Sequence, residues 1–165
     1  MLHLGAIHMS TPNPKFMFAA IEMARASRAA GDYAVGSVIV RDLDIIAQAG
    51  NRTHLDQDPT HHAEILAIRQ AAQYCRSKDL SSCTLYTTHE PCAMCMGAVI
   101  WSRIPQVVFG ATMEDHKRHR DRHGNTQWPW RVIDIRAGKI AAASSPVVEL
   151  VGGFMRQECL DLFHS

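Results

Sequence analysis

The chain has little net charge and no long hydrophobic run. Its 17 basic and 16 acidic side chains give a formal net charge of +1, with the ten histidines counted as neutral. The overall charge therefore does not indicate a nucleic acid or an acidic surface as the partner. No stretch approaches the roughly 18 consecutive apolar residues of a membrane span, so we expect no membrane partner.

The sequence also lacks the features of a secreted protein. Five cysteines are an odd number, and two of them form a closely spaced pair of the kind that binds metals, so a disulfide framework is not expected. The first ten residues have no basic segment followed by a long apolar one, as a secretory signal would. We therefore predict a cytoplasmic protein. The remaining cysteines are interpreted as small core residues: Cys75, Cys83 and Cys159.

A chain of 165 residues, of which 47% are hydrophobic, is long enough for one domain with a real core. We predict a single domain over residues 10–165. Residues 1–9 are predicted to be a disordered tail or a segment added ahead of a native Met9.

Hydrophobic periodicity predicts alternating helices and strands, the first two strands forming a hairpin. The helices are predicted over 16–30, 61–75, 92–101 and 154–163, and the strands over 35–40, 45–49, 84–87, 107–109, 132–135 and 147–151. Residues 113–130 are polar, basic and aromatic and show no pattern of regular structure. This order favours an α/β fold with helices on both faces of a mixed sheet.

Three candidate metal ligands stand in two short motifs. His62 is followed two residues later by Glu64, and Cys92 and Cys95 form a Pro-Cys-x-x-Cys run. One imidazole and two thiolates provide three ligands for a tetrahedral zinc ion and leave the fourth position for a water, as in catalytic sites. Glu64 is close enough to approach that water without binding the metal. The combined pattern is typical of zinc deaminases that act on nucleobases.

A purely structural zinc site is the alternative, and it would need a fourth protein ligand. His61, Cys83 and His89 are the candidates. His62 is preferred over His61 as a ligand because it keeps the two-residue offset to Glu64.

Several segments resemble the cytidine deaminase superfamily, in the branch of tRNA adenosine deaminases and guanine deaminases. Residues 58–64 (Asp-Pro-Thr-His-His-Ala-Glu) resemble its first motif, and residues 90–98 (Glu-Pro-Cys-Ala-Met-Cys-Met-Gly-Ala) resemble its second. The resemblance covers residues 16–111 and resumes at Pro146. It implies a three-layer α/β/α sandwich with a five-stranded mixed sheet, and a homodimer.

The resemblance also implies roles for individual residues. One Zn²⁺ per chain would be held with a catalytic water, and Glu64 would transfer protons. The implied metal ligands are His62, Cys92 and Cys95. The implied substrate contacts are Asn51, the backbone N–H of Ala63, Trp101 and Glu90.

The reaction predicted from the motifs converts a ring C–NH₂ to C=O and releases ammonia. The substrate is predicted to be a nucleobase, a nucleoside or a related heterocycle. A guanine-like ring is favoured over cytosine. Trp101 resembles a tryptophan that guanine deaminases carry where tRNA enzymes often have His, and the other interpretation of this residue is a core tryptophan at the end of the helix. The alternative reaction is adenosine-to-inosine conversion in tRNA. Against it, residues 111–115 (Ala-Thr-Met-Glu-Asp) stand where tRNA enzymes typically carry Lys-Thr-Gly-Ala.

Residues 112–131 form a polar and basic insert that the resemblance does not cover. Residues 116–123 are rich in His, Arg and Lys, and Trp128 and Trp130 follow. Basic side chains beside aromatic ones can bind single-stranded RNA. The favoured interpretation is a solvated surface loop or a lid over a small-molecule pocket, since long loops over sites are often lids. A third class, a non-catalytic zinc or RNA-binding module, is disfavoured by the presence of Glu64.

Overall fold

The computed structural model describes residues 11–124 and 132–163. The predicted tail, 1–9, and the Trp-Pro-Trp run, 128–130, lie outside the described residues. In chain order the elements are α1 (Pro14–Ala29), β1 (Gly36–Arg41), β2 (Asp44–Gly50), α2 (Ala63–Cys75), β3 (Cys83–His89), α3 (Ala93–Trp101), β4 (Gln106–Ala111), α4 (Met113–His123), α5 (Ala137–Ala142), β5 (Glu149–Gly152) and α6 (Arg156–Leu160).

The five strands form one mixed sheet in the order β2-β1-β3-β4-β5. β1 pairs antiparallel with β2 and β3, whereas β3–β4 and β4–β5 are parallel pairs. The hairpin turns at Asp42 and Leu43, which both have positive φ, as a two-residue hairpin turn of the primed type requires. The predicted five-stranded mixed sheet is confirmed.

Each face of the sheet is covered by helices. Alternating strand residues point to opposite faces, so Val38 and Tyr86 belong to one core and Ile39 and Leu85 to the other. Residues of α1 and Cys159 of α6 fill the first core, and residues of α2, α3 and α5 fill the second. The predicted α/β/α sandwich is therefore confirmed. Within the described residues, no helix is long and apolar enough to cross a membrane.

The prediction that 113–130 has no regular structure is wrong for its first part, because α4 occupies Met113–His123. The Thr112 hydroxyl accepts from the backbone N–H of Asp115, and the Asp115 carboxylate accepts from the backbone N–H of Thr112. Such a capping box satisfies two backbone N–H groups that helix formation leaves without partners. The helix has almost no apolar face, so hydrophobic periodicity could not reveal it.

Two smaller predictions also need correction. No strand forms over 132–135, and the short helix α5 follows instead. The last helix is shorter than the predicted 154–163, with α6 only five residues long. It begins after Met155, whose left-handed φ of 50° marks a sharp change of chain direction.

The carboxyl ends of the parallel strands β3 and β4 lie beside the two sequence motifs. β3 ends at His89 and leads into α3, and its parallel neighbour β4 ends at Ala111 and leads into α4. Loops that follow the carboxyl ends of parallel strands commonly form ligand sites in α/β proteins. The Cys-x-x-Cys motif therefore lies where such a site is expected.

Candidate active site

The three predicted metal ligands converge. The Sγ atoms of Cys92 and Cys95 lie 3.6 Å apart, and His62 Nδ1 lies 3.7 Å from Cys92 Sγ and 3.6 Å from Cys95 Sγ. A tetrahedral zinc ion bound at ordinary Zn–S and Zn–N distances separates two sulfurs by about 3.8 Å and a sulfur from a nitrogen by about 3.6 Å. The triangle thus has the dimensions of a zinc site, with His62 as an Nδ1 ligand.

The ligands stand at the N-termini of two helices, as predicted. His62 is the N-cap residue of α2, Cys92 is the N-cap residue of α3, and Cys95 lies in the first turn of α3. The unpaired N–H groups and the dipole at a helix N-terminus stabilise negative charge. Hydrogen bonds from Cys95 and then from His62 lower the pKa of Cys92 to about 4, although burial opposes the shift. The hydrogen bond between the two cysteines raises the pKa of Cys95, so Cys92 is the more acidic of the two thiols.

Glu64 lies next to this triangle and is 3% exposed. Among the described residues, its Oε2 atom is buried without a hydrogen-bond partner. Burying an unpartnered carboxylate oxygen is unfavourable, and a water at the metal would remove the penalty. Desolvation raises the pKa of Glu64, which makes its protonated form more accessible than that of an exposed glutamate. The residues therefore fit zinc and a water together.

The candidates for a fourth protein ligand are engaged elsewhere. His61 Nδ1 bonds to Asp56 at 2.8 Å, and its Nε2 contacts Arg69 at 3.1 Å. Cys83 begins β3, at the opposite end of that strand from His89, and His89 Nδ1 pairs with the Thr88 hydroxyl at 2.8 Å. Within the part of the chain that the structure describes, His62, Cys92 and Cys95 are the only group of metal-ligating side chains that converges.

Asn51 is buried and held by a carboxylate that sequence analysis did not identify. Asp32 is 1% exposed and accepts from Asn51 Nδ2 at 2.8 Å. It also accepts from the backbone N–H groups of His54 at 2.8 Å and Leu55 at 3.0 Å. Burial acts to raise the pKa of Asp32, but these hydrogen bonds outweigh it and the pKa is lowered. The only sequence signal was an acidic residue directly after the helix-ending Gly31.

The amide orientation of Asn51 follows from this contact. An ionised carboxylate can only accept hydrogen bonds, so the amide nitrogen must face Asp32. The same nitrogen contacts Thr53 Oγ1 at 2.9 Å. The Ser27 hydroxyl donates to the backbone carbonyl oxygen of Asn51 at 2.5 Å. Both the side chain and the backbone of Asn51 are therefore fixed.

The other predicted substrate contacts differ in their surroundings. Ala63 is fully buried as the first residue of α2, where a backbone N–H has no acceptor within its own helix. Trp101 ends α3 and is 85% exposed, so the alternative in which it fills the core is wrong. Its predicted role in stacking on a base is not tested by its exposure.

Glu90 is engaged by protein groups. Its carboxylate accepts from the backbone N–H of Met113 at 2.8 Å and that of Ala137 at 3.0 Å. Arg136 approaches the same carboxylate with Nε at 3.0 Å and Nη2 at 2.9 Å. Glu90 therefore joins the start of the insert and the beginning of α5 to the loop that carries Cys92.

Further contacts hold α4 against the carboxyl end of β3 and against α6. The His116 ring lies 4.4 Å from the His89 ring and 4.2 Å from the Phe163 ring, measured between centroids. Asp115 of α4 forms an ion pair with Arg156 of α6. Sequence analysis missed these contacts because α4 itself was not predicted.

Known proteins share this fold and these motifs. Residues 10–111 match the family described as the cytidine and deoxycytidylate deaminase zinc-binding region. A probable cytosine deaminase from Schizosaccharomyces pombe is 33% identical over 158 residues, covering 95% of this chain and 93% of that protein. A tRNA-specific adenosine deaminase from Buchnera aphidicola is 43% identical over 104 residues, which span 63% of this chain and 64% of that protein.

Solved structures extend the similarity beyond the motifs. A guanine deaminase structure from Nitrosomonas europaea superposes with a TM-score of 0.75 at 26% identity, covering 95% of this chain and 85% of that one. The family match includes the triangle of His62, Cys92 and Cys95, whose dimensions fit zinc, so the cofactor is zinc. The chain belongs to the cytidine and deoxycytidylate deaminase family of zinc-binding hydrolytic enzymes.

Proposed function

We propose that this protein hydrolyses the amino group of a guanine-like ring, presented as a nucleobase, a nucleoside or a related heterocycle. The reaction converts C–NH₂ and water to C=O and ammonia. The observation that carries the proposal is the buried Glu64 Oε2, which has no partner among the described residues and lies beside three converging metal ligands. A buried carboxylate in that position is suited to proton transfer.

Glu64 performs the proton transfers in this proposal. When bound, zinc supplies the acidification of water that hydrolysis near neutral pH needs. The Glu64 carboxylate accepts a proton from the attacking water. It gives this proton to the ring nitrogen beside the reacting carbon. It then takes the second proton from the hydroxyl newly bonded to that carbon and passes it to the departing amine, which leaves as ammonia as C=O forms. Its raised pKa, caused by desolvation, keeps the protonated state accessible during this cycle.

Asn51 and Ala63 orient the ring. The Ala63 N–H lies at the start of α2, one residue after the ligand His62, and can donate to a ring carbonyl or nitrogen. Asp32 fixes the Asn51 side chain, so the amide meets the substrate without rearranging. Holding the ring in a reactive position lowers the entropic cost of the reaction.

The guanine-like ring is supported by Trp101, an aromatic side chain exposed at the end of α3 and suited to stacking on a planar base. Fold similarity is compatible with both candidates, because the guanine deaminase structure covers 95% of this chain and a tRNA:A34 deaminase structure covers 91%. A tRNA adenosine remains the second candidate, and the observation that favours it is the exposed Arg118 and Arg122 on α4.

We further propose a cytoplasmic homodimer. All five cysteines are free, which suits a reducing compartment.

The surface proposed for the homodimer is on α3, which has no charged side chain. Its apolar residues that are not buried form a surface suited to a partner copy: Ala93, Met94, Gly97, Ala98, Ile100 and Trp101. Light scattering tests the assembly, and a monomer at all concentrations would refute it.

Ammonia release from a substrate panel tests the proposed reaction. The panel contains guanine, adenine, cytosine, their nucleosides and an unmodified tRNA, with Glu64→Ala protein as the blank. Release from guanine or a related small ring supports the proposal. Release from tRNA alone would establish the second candidate. Zinc binding without release from any substrate would indicate a non-catalytic zinc module.

A further inference from the structure

A small basic cavity lies between α4 and α6, outside the residues assigned to catalysis. Its volume is about 140 Å³, below the several hundred cubic ångströms that enclose a whole drug-sized ligand. It can therefore hold a compact group. The residues that line it are Asp115, Arg118, His119, Arg122, His123, Arg156, Leu160 and Phe163.

The charge balance of this cavity favours an anion. Three arginines line it against one carboxylate, Asp115. That carboxylate is committed to Arg156, which approaches it with both Nε and Nη2. Arg118 has only a long contact, 3.5 Å, with Glu114 of its own helix, and no ion pair connects Arg122 to another described residue. Within the described part of the chain, these two arginines thus keep their donors accessible to a ligand.

Arginine and the spacing of these residues point to phosphate. Arg118 and Arg122 are four residues apart on α4, so they lie on the same face of the helix. The guanidinium group carries five donors in a planar fork that matches the oxygens of a phosphate. Because Asp115 pairs with Arg156, that side chain keeps a fixed position in the cavity lining.

The helix α4, which lines the cavity, starts at the carboxyl end of β4, next to the loop that carries Cys92. The backbone N–H of Met113 is bonded to Glu90, two residues before Cys92. The ring contact between His116 and His89 makes a second link from α4 to the end of β3. A ligand that reaches the metal ligands could therefore extend a negatively charged group toward α4.

We propose that this cavity binds a phosphate group of the substrate whose ring enters the metal site. The inference rests on the proposed function, because the phosphate belongs to the deaminated molecule. Either a nucleotide monoester or an RNA diester provides this group. The insert then selects phosphorylated substrates over the free base.

Paired ligands that differ only in the phosphate provide the test. Calorimetry of the zinc-loaded protein compares guanosine 5′-monophosphate with guanosine. We expect the monophosphate to bind at least tenfold more tightly and the difference to shrink at high salt. A single-stranded RNA hexanucleotide without a terminal phosphate distinguishes the second source. Tight binding of the RNA with no preference for the monophosphate would identify a diester as the ligand.

Two double variants that each remove two positive charges show where on the protein the phosphate binds. Arg118→Gln with Arg122→Gln should abolish the preference for the phosphorylated ligand. Lys78→Gln with Arg103→Gln removes the same charge at the opposite end of β3 and β4 and should leave the preference intact. If the first double variant unfolds, Arg122→Gln alone replaces it, because that side chain is exposed.

The proposal is overturned if the wild type binds both guanosine ligands equally and the arginine variants do not weaken RNA binding. It is also overturned if the preference survives in the variant, since the phosphate would then be bound elsewhere, for example at the metal. The outcome is separable from that of the proposed function. Ammonia release without a phosphate preference refutes only this inference, whereas no release from any substrate refutes the function itself.

Discussion

Asp32 and Asn51 are 19 residues apart in the chain, yet the Asp32 carboxylate accepts a 2.8 Å hydrogen bond from the Asn51 amide. Both side chains are buried, at 1% and 4% exposure. Asp32 lies between α1 and β1, and Asn51 directly follows β2. The bond therefore fixes the residue predicted to contact substrate to a different part of the fold.

Replacing Asp32 with Asn should weaken substrate binding. The variant keeps the shape of the side chain but loses the charge that orients Asn51, and a hydrogen bond to a charged group contributes about 1.5–3 kcal/mol. We expect KM to rise roughly tenfold or more, with a smaller change in kcat. Steady-state kinetics measure both. Asp42→Asn in the exposed hairpin turn is the control, and equal kinetics for wild type and Asp32→Asn would contradict the positioning role.

Cys92→Ser should remove the zinc. The substitution replaces a thiolate that is ionised near neutral pH, with a pKa of about 4, by an alcohol that remains protonated. Metal analysis should show less than one tenth of the zinc content of the wild type. Cys159→Ser is the control, because this buried cysteine belongs to the α1 side of the sheet. Full zinc retention by Cys92→Ser would show that the ligand set is wrong.

His89 should make the protein less stable as the pH falls. Burial lowers the pKa of His89 to about 3, whereas an unfolded histidine titrates near 6.5. The neutral ring is therefore favoured in the folded state. The neutral ring contributes its full stabilisation above about pH 6.5. Below that pH the free energy of unfolding falls by about 1.4 kcal/mol per pH unit, until the pH reaches the folded-state pKa of about 3.

Urea unfolding at pH 7, 6 and 5 measures this dependence. His89→Leu should flatten it by about the slope of one titrating group. Some slope should persist, because burial also lowers the pKa of His116. An unchanged slope in the variant would mean that the His89 ring is hydrated in the folded protein.

Glu90→Gln should weaken the hydrogen bonds that attach Met113, Arg136 and Ala137 to the loop that carries Cys92. The wild-type carboxylate accepts from two backbone N–H groups and from Arg136, and an amide cannot satisfy all three donors. We expect the free energy of unfolding to fall by about 2 kcal/mol, measured by denaturant titration. A raised KM with unchanged stability would instead support the predicted contact between Glu90 and substrate.

Local patterns predicted the five observed strands and the metal ligands, although they also predicted a strand over 132–135 that does not form. The arrangement as a five-stranded mixed sheet was implied by the family resemblance. β-branched runs define buried strands, and the spacing of His62, Cys92 and Cys95 reflects ligand geometry that any zinc site must satisfy. Their convergence across 33 residues requires only that the two helix N-termini meet. These features are properties of short segments, and short segments can be recognised without a structure.

The contacts around α4 and Asp32 could not be predicted in the same way. α4 is polar on nearly all sides, so its position depends on the Glu90 and Arg156 contacts rather than on an apolar face. The Asp32 network joins residues 19 to 23 positions apart, and nothing in the local sequence indicates a buried carboxylate. Both depend on tertiary packing, which overrides local propensity.

The most direct test of hydrolytic deamination is to follow the reaction in ¹⁸O-labelled water. The zinc-loaded protein, the ring that releases ammonia in the panel, and a parallel Glu64→Gln sample are required. The account predicts one ammonia per product, the label in the new carbonyl group, and a rate at least a hundredfold lower for Glu64→Gln, as expected when a general acid–base group is lost. An unlabelled product, or equal rates for the two proteins, would contradict it.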